Sequence, residues 1–155
     1  MELVDILPQR AVLYCTGVKN KRELFEKLCA CAGELTGVPS QDLLTAISDR
    51  EDLGSTGLGN GIAVPHGKVG GLKQVSAVFA RVNPPIEFDA VDDQPVDLVM
   101  MLLAPVGAGA DHLKALSRVA RLLRTEAVVE ELRRLDDPER LWNVLTAPLS
   151  ESDAA

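Results

Sequence analysis

The sequence is poor in aromatic residues, with one tryptophan, one tyrosine and three phenylalanines among 155 residues. A chain of this length can bury a continuous core in one domain, and 46% of its residues are hydrophobic. The core must therefore be built from Leu, Val, Ile and Ala. The longest apolar run, residues 98–104, is far too short to cross a bilayer, and the first residues lack the basic region of a signal peptide. We expect a cytoplasmic globular protein with no membrane insertion.

Cysteine is scarce, and positive charge is outnumbered by negative charge. The three cysteines, Cys15, Cys29 and Cys31, are odd in number, and the last two are two positions apart in a predicted helix, where they point to different faces. We expect buried reduced thiols, consistent with a cytoplasmic protein, rather than a shared metal site. The net charge of −7 argues against nucleic acid or an anionic membrane surface as a partner, because both would repel the protein.

Histidine is rarer still, and one of the two histidines, His66, lies in a distinctive glycine-rich stretch that runs from Gly54 to Lys68. The glycines at positions 54, 57, 59 and 61 allow positive φ angles and a close approach of backbone amides to an anion. A short apolar strand, residues 62–64, follows, and Pro65 stiffens the approach to the histidine. This pattern predicts a histidine displayed at a strand end. The residues alone leave an alternative open, since most such histidines are ordinary surface residues and most glycine-rich turns only connect elements.

Apolar periodicity and capping residues predict an α/β fold, a single domain with a mixed β-sheet and helices on both faces. The predicted helices run from the cap Asn20 to Gly37, from the cap Ser40 to about Glu51, from the cap Asp111 to about Arg124, over residues 126–135, and over residues 138–145 with Asp137 as cap. The predicted strands are an edge strand at residues 11–15, residues 62–64, residues 75–82, and a central strand at residues 98–104. Pro84 and Pro85 are expected to break the third strand before a short segment at residues 86–88. Residues 147–155 form a polar tail that we expect to be disordered.

A family resemblance rests on several sequence blocks. Residues 50–68 contain Arg50-Glu51, then Gly54-Ser55-Thr56-Gly57, then Gly59-Asn60-Gly61-Ile62-Ala63-Val64-Pro65-His66-Gly67-Lys68. Later blocks are Pro85-Ile86-Glu87-Phe88-Asp89, Pro95-Val96-Asp97-Leu98, Leu102-Leu103-Ala104-Pro105 and His112-Leu113-Lys114-Ala115-Leu116. In this order they resemble the mannitol/fructose-type enzyme IIA domains of the bacterial phosphotransferase system. The resemblance covers residues 1–146, an enzyme IIA-type phosphoacceptor domain, and is strongest to the stand-alone nitrogen-regulatory branch.

The resemblance implies a chemistry for both histidines. A neutral imidazole has a nitrogen lone pair that can take a phosphoryl group without a separate base, and the resemblance implies that His66 does so at Nε2, with a histidine phosphocarrier protein as donor. His112 matches the second active-site histidine of the family, and the first turn of a helix is a favourable position for phosphate. Arg50 matches an arginine near the phosphoryl site, where its planar group can hold phosphate oxygens in pairs.

The glycine-rich stretch is expected to contribute the remaining phosphate contacts. We expect backbone amides, the Ser55 and Thr56 hydroxyls, Gly57 and Asn60 to be phosphate-binding. Asn60 stands where some sugar-type members have a glutamate, which makes a sugar-specific acceptor doubtful. The resemblance implies no cofactor.

Three functions remain open from the sequence. The nitrogen-regulatory branch implies that phosphorylation state controls binding to target proteins such as potassium-transport or sensor components. Alternatively, the chain is a sugar-transport component that passes phosphate to a fructose- or mannitol-type IIB domain. A third possibility is a ligand-binding or metal-dependent module that uses His66, His112 and an aspartate. The aspartates at positions 89, 92, 93 and 97 lack the spacing of a calcium loop, and the chain has no close cluster of ligands.

Overall fold

The computed structural model describes residues 2–148, which form a mixed six-stranded sheet with helices on both faces. The strands are β1 (Val12–Thr16), β2 (Gly57–Gly59), β3 (Ile62–Ala63), β4 (His66–Val69), β5 (Ser76–Ile86) and β6 (Val96–Pro105). The helices are α1 (Lys21–Thr36), α2 (Ser40–Asp52), α3 (Gly109–Leu122), α4 (Glu126–Arg134) and α5 (Pro138–Thr146). The predicted α/β class is confirmed. Residues 149–155 of the predicted disordered tail lie outside the described residues.

Strand β6 is the centre of the sheet. The strand order is β1-β5-β6-β3-β2, and β4 pairs with β6 on the same edge as β3. All residues from Leu98 to Ala104 have no exposed surface, as predicted for a strand covered on both faces. Strand β1 pairs only with β5 among the described strands, so its predicted edge position is also confirmed.

Opposite faces of β4 meet different helices. A Cβ at Gly67 would lie 3.3 Å from the carbonyl oxygen of Ala46, so this glycine allows the backbone of α2 to pack closely on β4. Since side chains alternate along a strand, His66 and Lys68 point to the other face. Helix α3 packs against β6 and contributes His112 to that face. The sheet therefore separates α2 from the pair of histidines.

Helix boundaries confirm some predicted caps and correct others. The side chain of Asn20 accepts from the Glu23 N–H at 2.9 Å, and that of Asp137 accepts from the Arg140 N–H at 3.3 Å, as expected of N-caps. The prediction that Ser40 caps α2 is wrong, because the carbonyl of Pro39 already accepts from Asp42 and Leu43.

The cap predicted for α3 is also wrong. The carbonyl of Ala108 accepts from the N–H groups of Asp111 and His112, at 2.8 and 3.2 Å, so the first turn has formed before Asp111. The small residues Gly107, Ala108 and Gly109 let the helix begin earlier than the polar residue suggested. His112 nevertheless lies in the first turn, as predicted.

Two strand boundaries differ from the predictions. Pro84 and Pro85 do not break β5, which continues to Ile86. Between Arg81, opposite Leu98, and Ile86, opposite Val96, the register shifts, so the prolines lie where regular pairing with β6 does not require their missing N–H groups. His66 is the first residue of β4 rather than the end of the preceding apolar strand, which ends at Ala63.

The described helices and cysteines can be compared with the expectations from composition. No helix within residues 2–148 combines the length and apolar character needed to cross a membrane. Cys15 and Cys29 are buried free thiols, and Cys31 is half-buried. Burial raises the pKa of Cys29 to about 12, which keeps that thiol protonated and unreactive at neutral pH.

Candidate functional site

His66 and His112 are 46 positions apart in the sequence, but their rings lie together in the fold. The ring centroids are 5.6 Å apart, and the ring planes are tilted by 51°. His66 is half-buried at the start of β4, whereas His112 is only 7% exposed in the first turn of α3. This arrangement places one accessible imidazole beside one enclosed imidazole at a helix N-terminus, where unpaired amides favour an anion.

A hydrogen bond determines which nitrogen of His66 is reactive. The Nδ1 atom lies 2.9 Å from the carbonyl oxygen of Val64. Because a carbonyl oxygen can only accept, Nδ1 must carry the proton that it donates. In the neutral ring the lone pair is then on Nε2, which is the nitrogen that the resemblance implied.

His112 is held in its neutral form by its surroundings. Burial lowers its pKa most strongly, and the nearby His66 and Lys68 lower it further. Its Nδ1 is buried and has no hydrogen-bond partner within residues 2–148. A buried polar atom without a partner is costly, and such an atom in a folded protein often marks a functional position.

Lys68 belongs to this site, although the sequence reasoning gave it no role. It is exposed, it lies on the same face of β4 as His66, and its charge acts on His112. The sequence contains the relevant spacing, because Lys68 is two positions after His66 and residues two apart in a strand share a face. What could not be read from the sequence was that residues 66–69 form a strand.

Arg50 lies in the last turn of α2, just before the glycine-rich loop that leads to His66. Ala46 of this helix lies against Gly67, and Glu51 binds Thr56, which pairs with Val64. The Arg50 Nη1 donates to the Gly54 carbonyl at 2.9 Å and so anchors the glycine-rich loop. The bond shown by the structure therefore supports the loop, and a contact with phosphate stays a prediction.

Thr56 and Ser55 make bonds within the protein. The Thr56 hydroxyl donates to the buried carboxylate of Glu51 at 2.6 Å, and Thr56 is only 6% exposed. The Ser55 hydroxyl accepts from the Gly57 N–H at 3.1 Å and lies 3.5 Å from the Phe88 carbonyl oxygen. Their predicted phosphate contacts stay predictions, and the geometry gives both side chains a role in shaping the loop.

Asn60 lies at the other end of the β2–β3 region from His66. Ile62 is level with Leu98 and His66 with Leu102, a separation of four residues or ~13 Å along β6. Asn60 precedes Ile62, and its N–H donates to Asp92 at 2.9 Å. The structure therefore does not bring Asn60 to the pair of histidines, because the turn that contains it projects along the sheet edge.

Asp92, in the loop between β5 and β6, has a structural role. Asp92 accepts from the N–H groups of Asn60 and Gln94, and these bonds lower its pKa. In the described part of the chain, no three His, Cys, Asp or Glu side chains are close enough to hold a metal ion.

Comparison with protein families gives a match over residues 5–147 to the model described as "Phosphoenolpyruvate-dependent sugar phosphotransferase system, EIIA 2". A "Nitrogen regulatory protein" of Bradyrhizobium diazoefficiens is 44% identical over 148 residues, covering 96% of this chain and 97% of the relative. A "PTS system fructose-specific EIIA component" of Haloferax volcanii is 39% identical over 127 residues, covering 81% of this chain and 82% of the relative.

Among solved structures, the nitrogen regulatory protein IIA-Ntr of Neisseria meningitidis has a similar fold. Its TM-score is 0.87 at 34% sequence identity, and the match covers 93% of this chain and 99% of that one. These similarities confirm the resemblance in the sequence, including its tendency toward the nitrogen-regulatory branch.

Proposed function

The chain belongs to the EIIA 2 family of the phosphoenolpyruvate-dependent sugar phosphotransferase system, and from this membership we propose that His66 accepts a phosphoryl group from a histidine phosphocarrier protein. The family and its nitrogen-regulatory members support a role as a phosphoryl carrier. The observation that supports His66 most directly is the 2.9 Å hydrogen bond of its Nδ1 with the Val64 carbonyl oxygen. That bond leaves Nε2 as the nucleophile.

The transfer is a displacement at phosphorus. The Nε2 lone pair of His66 forms the new P–N bond while the P–N bond of the donor phosphohistidine breaks, and the electron pair of that bond returns to the donor ring. No proton has to be removed from His66, since the attacking nitrogen carries none. The protein then has to align the reactants and stabilise charge on three phosphoryl oxygens.

His112 and Lys68 are the groups suited to that stabilisation. The ring centroid of His112 is 5.6 Å from that of His66, close enough for a phosphoryl oxygen bound to one ring to contact the other. Lys68 adds a positive charge on the same strand face. Negative charge arriving at His66 would also oppose the effects that keep His112 neutral, so a proton on His112 becomes more favourable after transfer.

We also propose that the phosphorylation state regulates the binding of target proteins such as potassium-transport or sensor components. The 44% identity to a nitrogen regulatory protein supports this assignment over a transport role. A phosphoryl group at a half-buried histidine changes the charge of a local surface, which can reverse a contact through repulsion and desolvation. A separate turnover activity is not required.

The experiment is a labelling assay with phosphoenolpyruvate, the first enzyme of the phosphotransferase system and the phosphocarrier protein. We expect wild type to be labelled at His66 and the His66→Ala variant to remain unlabelled. A His112→Asn variant is expected to be labelled more slowly, by on the order of 100-fold. Label retained at wild-type level by His66→Ala would exclude the proposal.

A transport role is the second candidate, favoured by the similarity to a fructose-specific EIIA component. It is distinguished by adding a fructose- or mannitol-type IIB domain to the phosphorylated protein. Rapid loss of label from His66 to the IIB domain would favour transport. Label that stays on His66, with a change in target binding, would favour regulation.

A further inference from the structure

Glu51 is a buried carboxylate that no part of the phosphoryl transfer uses directly. It is 9% exposed at the end of α2, and its two oxygens accept bonds from two residues. The Thr56 hydroxyl donates to Oε1 at 2.6 Å, and the Thr56 N–H donates to Oε2 at 3.1 Å. The Lys21 Nζ donates to Oε2 at 2.9 Å. Glu51 therefore holds both the backbone and the side chain of Thr56.

Lys21 connects the same carboxylate to another helix. It is the first residue of α1, and its ammonium group lies 4.3 Å from the centroid of the Phe88 ring. The ring and the carboxylate together compensate the charge of this half-buried lysine. The network thus joins the start of α1 to the end of α2 at the glycine-rich loop.

A short path of bonds connects Glu51 to His66. The Thr56 carbonyl accepts from the Val64 N–H at 3.0 Å, and the Val64 carbonyl lies 2.9 Å from Nδ1 of His66. The Pro65 carbonyl accepts from Leu102 of the central strand at 2.9 Å. The peptide units on both sides of Val64 and Pro65 are therefore fixed. Thr56 is thus the residue outside the β6 pairing that holds Val64 on its N–H side.

Stability alone does not explain this network well. Replacing a buried ion pair by apolar side chains of similar size is often neutral or stabilising, because burying charges is costly. Two of the three bonds to Glu51 instead come from one threonine, from its backbone N–H and its hydroxyl, and the third comes from Lys21. The carbonyl of the same threonine accepts from the N–H of Val64, the residue whose own carbonyl meets His66. A role in orientation accounts for the location of the carboxylate as well as for its bonds.

We propose that Glu51, supported by Lys21, is a positioning residue that holds His66 in the Nδ1–H tautomer through Thr56 and Val64. The inference rests on the proposed function of His66. When the Val64 carbonyl is correctly directed, the proton stays on Nδ1 and Nε2 keeps its lone pair. When Thr56 shifts, the Val64 carbonyl no longer selects this tautomer, and a fraction of the rings carries the proton on the attacking nitrogen.

The direct test is the tautomer of His66, measured from the imidazole ¹⁵N chemical shifts. The spectrum is simple because the chain contains two histidines. In wild type we expect a protonated Nδ1 and an unprotonated Nε2 at a pH where the ring is neutral. In Glu51→Gln we expect the Nε2–H form to become populated, because the amide cannot replace both carboxylate oxygens as acceptors.

The second readout is the rate of phosphorylation by the phosphocarrier protein. Glu51→Gln and Thr56→Val are each expected to lower the rate constant by about tenfold, the order seen when a group that orients a reacting histidine is removed. Thr56→Ser keeps the hydroxyl and is expected to retain most of the wild-type rate.

Two controls separate orientation from loss of structure. Glu26→Gln makes the same chemical change in an exposed α1 side chain paired with Arg22, and should leave both readouts at wild-type values. Leu145→Ala weakens the core in α5 at a residue that is 2% exposed and takes no part in the path. It should lower resistance to urea without altering the tautomer of His66.

The results for the variants test the role of Glu51, and the result for wild type tests the proposed function of His66. A wild-type tautomer and rate in Glu51→Gln would overturn the inference, as would an equal tautomer change in Leu145→Ala. If wild type itself is not phosphorylated at His66, the proposed function fails. In that case the ¹⁵N measurement still decides whether Glu51 fixes the ring.

Discussion

His112 is the ionisable residue whose state most directly affects the candidate site. Burial disfavours its charged form, and the neighbouring His66 and Lys68 act in the same direction. The folded protein therefore binds a proton at this ring less readily than the unfolded chain does. A phosphoryl group on His66 would bring negative charge close to this ring, because the two ring centroids are 5.6 Å apart. That charge would favour a proton on His112 and so would oppose the effects that lower its pKa in the unphosphorylated protein.

This leads to a prediction about stability and pH. The folded pKa of His112 is lowered, so its contribution is complete above the ordinary value of about 6.5 and is lost as the pH falls toward the folded pKa. We expect the free energy of unfolding to decrease over this range, by less than about 1.4 kcal/mol per pH unit for this group. Urea denaturation at several pH values measures it. His112→Gln should give a shallower slope, and identical slopes would show that His112 does not titrate differently on folding.

The close packing around Gly57 leads to a second prediction about a single residue. A Cβ added there would lie 2.8 Å from the Cβ of Ala90 and 3.3 Å from its Cα, so a backbone would have to move. We expect Gly57→Ala to lower the free energy of unfolding by about 1–3 kcal/mol. The matched control is Gly70→Ala, where a Cβ would meet nothing within 4 Å. Equal urea midpoints for the two variants would mean that the loop adapts freely and that Gly57 has no packing role.

Among contacts between secondary-structure elements, hydrogen bonds of Arg133 link α4 to the β2–β3 turn. Its Nε and Nη2 donate to the two carboxylate oxygens of Asp97, each at 2.9 Å, and Nη2 also donates to the Asn60 carbonyl. Arg133→Lys removes the paired geometry, and we expect a loss of about 1 kcal/mol because the pair is partly exposed. The rate of His66 phosphorylation should not change, since the turn is more than ~13 Å away along β6.

The control for this prediction is Arg134→Lys. Arg134 is exposed and lies 3.6 Å from Glu131, so its replacement should change the free energy of unfolding by less than about 0.5 kcal/mol. Urea denaturation and the labelling assay are measured on both variants. Slower phosphorylation in Arg133→Lys would mean that the turn with Asn60 acts on the site, as the sequence originally suggested.

Helices and strands with a strong apolar pattern could be predicted from the sequence. A strand that forms only because it pairs with a segment distant in the sequence could not. The run from Leu98 to Ala104 identified the central strand because a strand covered on both faces needs apolar residues at every position. Strand β4 contains a histidine, a glycine and a lysine, and it exists because it pairs with β6. Pro84 was expected to end β5, but a local change of register removes the need for its N–H.

The candidate site was likewise predictable where it rests on local sequence blocks and not where it rests on long-range contacts. His66 and His112 were identifiable from family blocks, and the fold brings their rings together. The bonds from Lys21 and Thr56 to Glu51 join residues that no spacing rule connects, since 30 positions separate Lys21 from Glu51. Asn60 was grouped with the site because it is close in sequence. The direction of β3 along the sheet edge places it elsewhere.

The molecule as a whole has a net charge of −7, but Lys68 places a positive charge on the same strand face as His66. Long-range repulsion between exposed charges is largely screened beyond about 10 Å at 0.1 M salt. A partner that docks on the site therefore responds mainly to local groups such as Lys68. The proposed phosphorylation of His66 would add negative charge at this site, where a docked partner is most sensitive to it. A regulatory partner of the kind proposed would therefore have to cover the site itself to respond to that change.

The N- and C-terminal segments share one core with the sheet, which predicts cooperative unfolding of residues 2–146. Trp142 of α5 donates its Nε1–H to the carbonyl of the buried Leu7 at 2.8 Å, and the Ile6 carbonyl accepts from Ala77 of β5. Trp142 is the sole tryptophan, so its fluorescence reports the contact between the two segments. In urea we expect this fluorescence and far-ultraviolet circular dichroism to give the same midpoint and slope, as in a two-state transition. A fluorescence change at lower urea would mean that α5 detaches before the sheet unfolds.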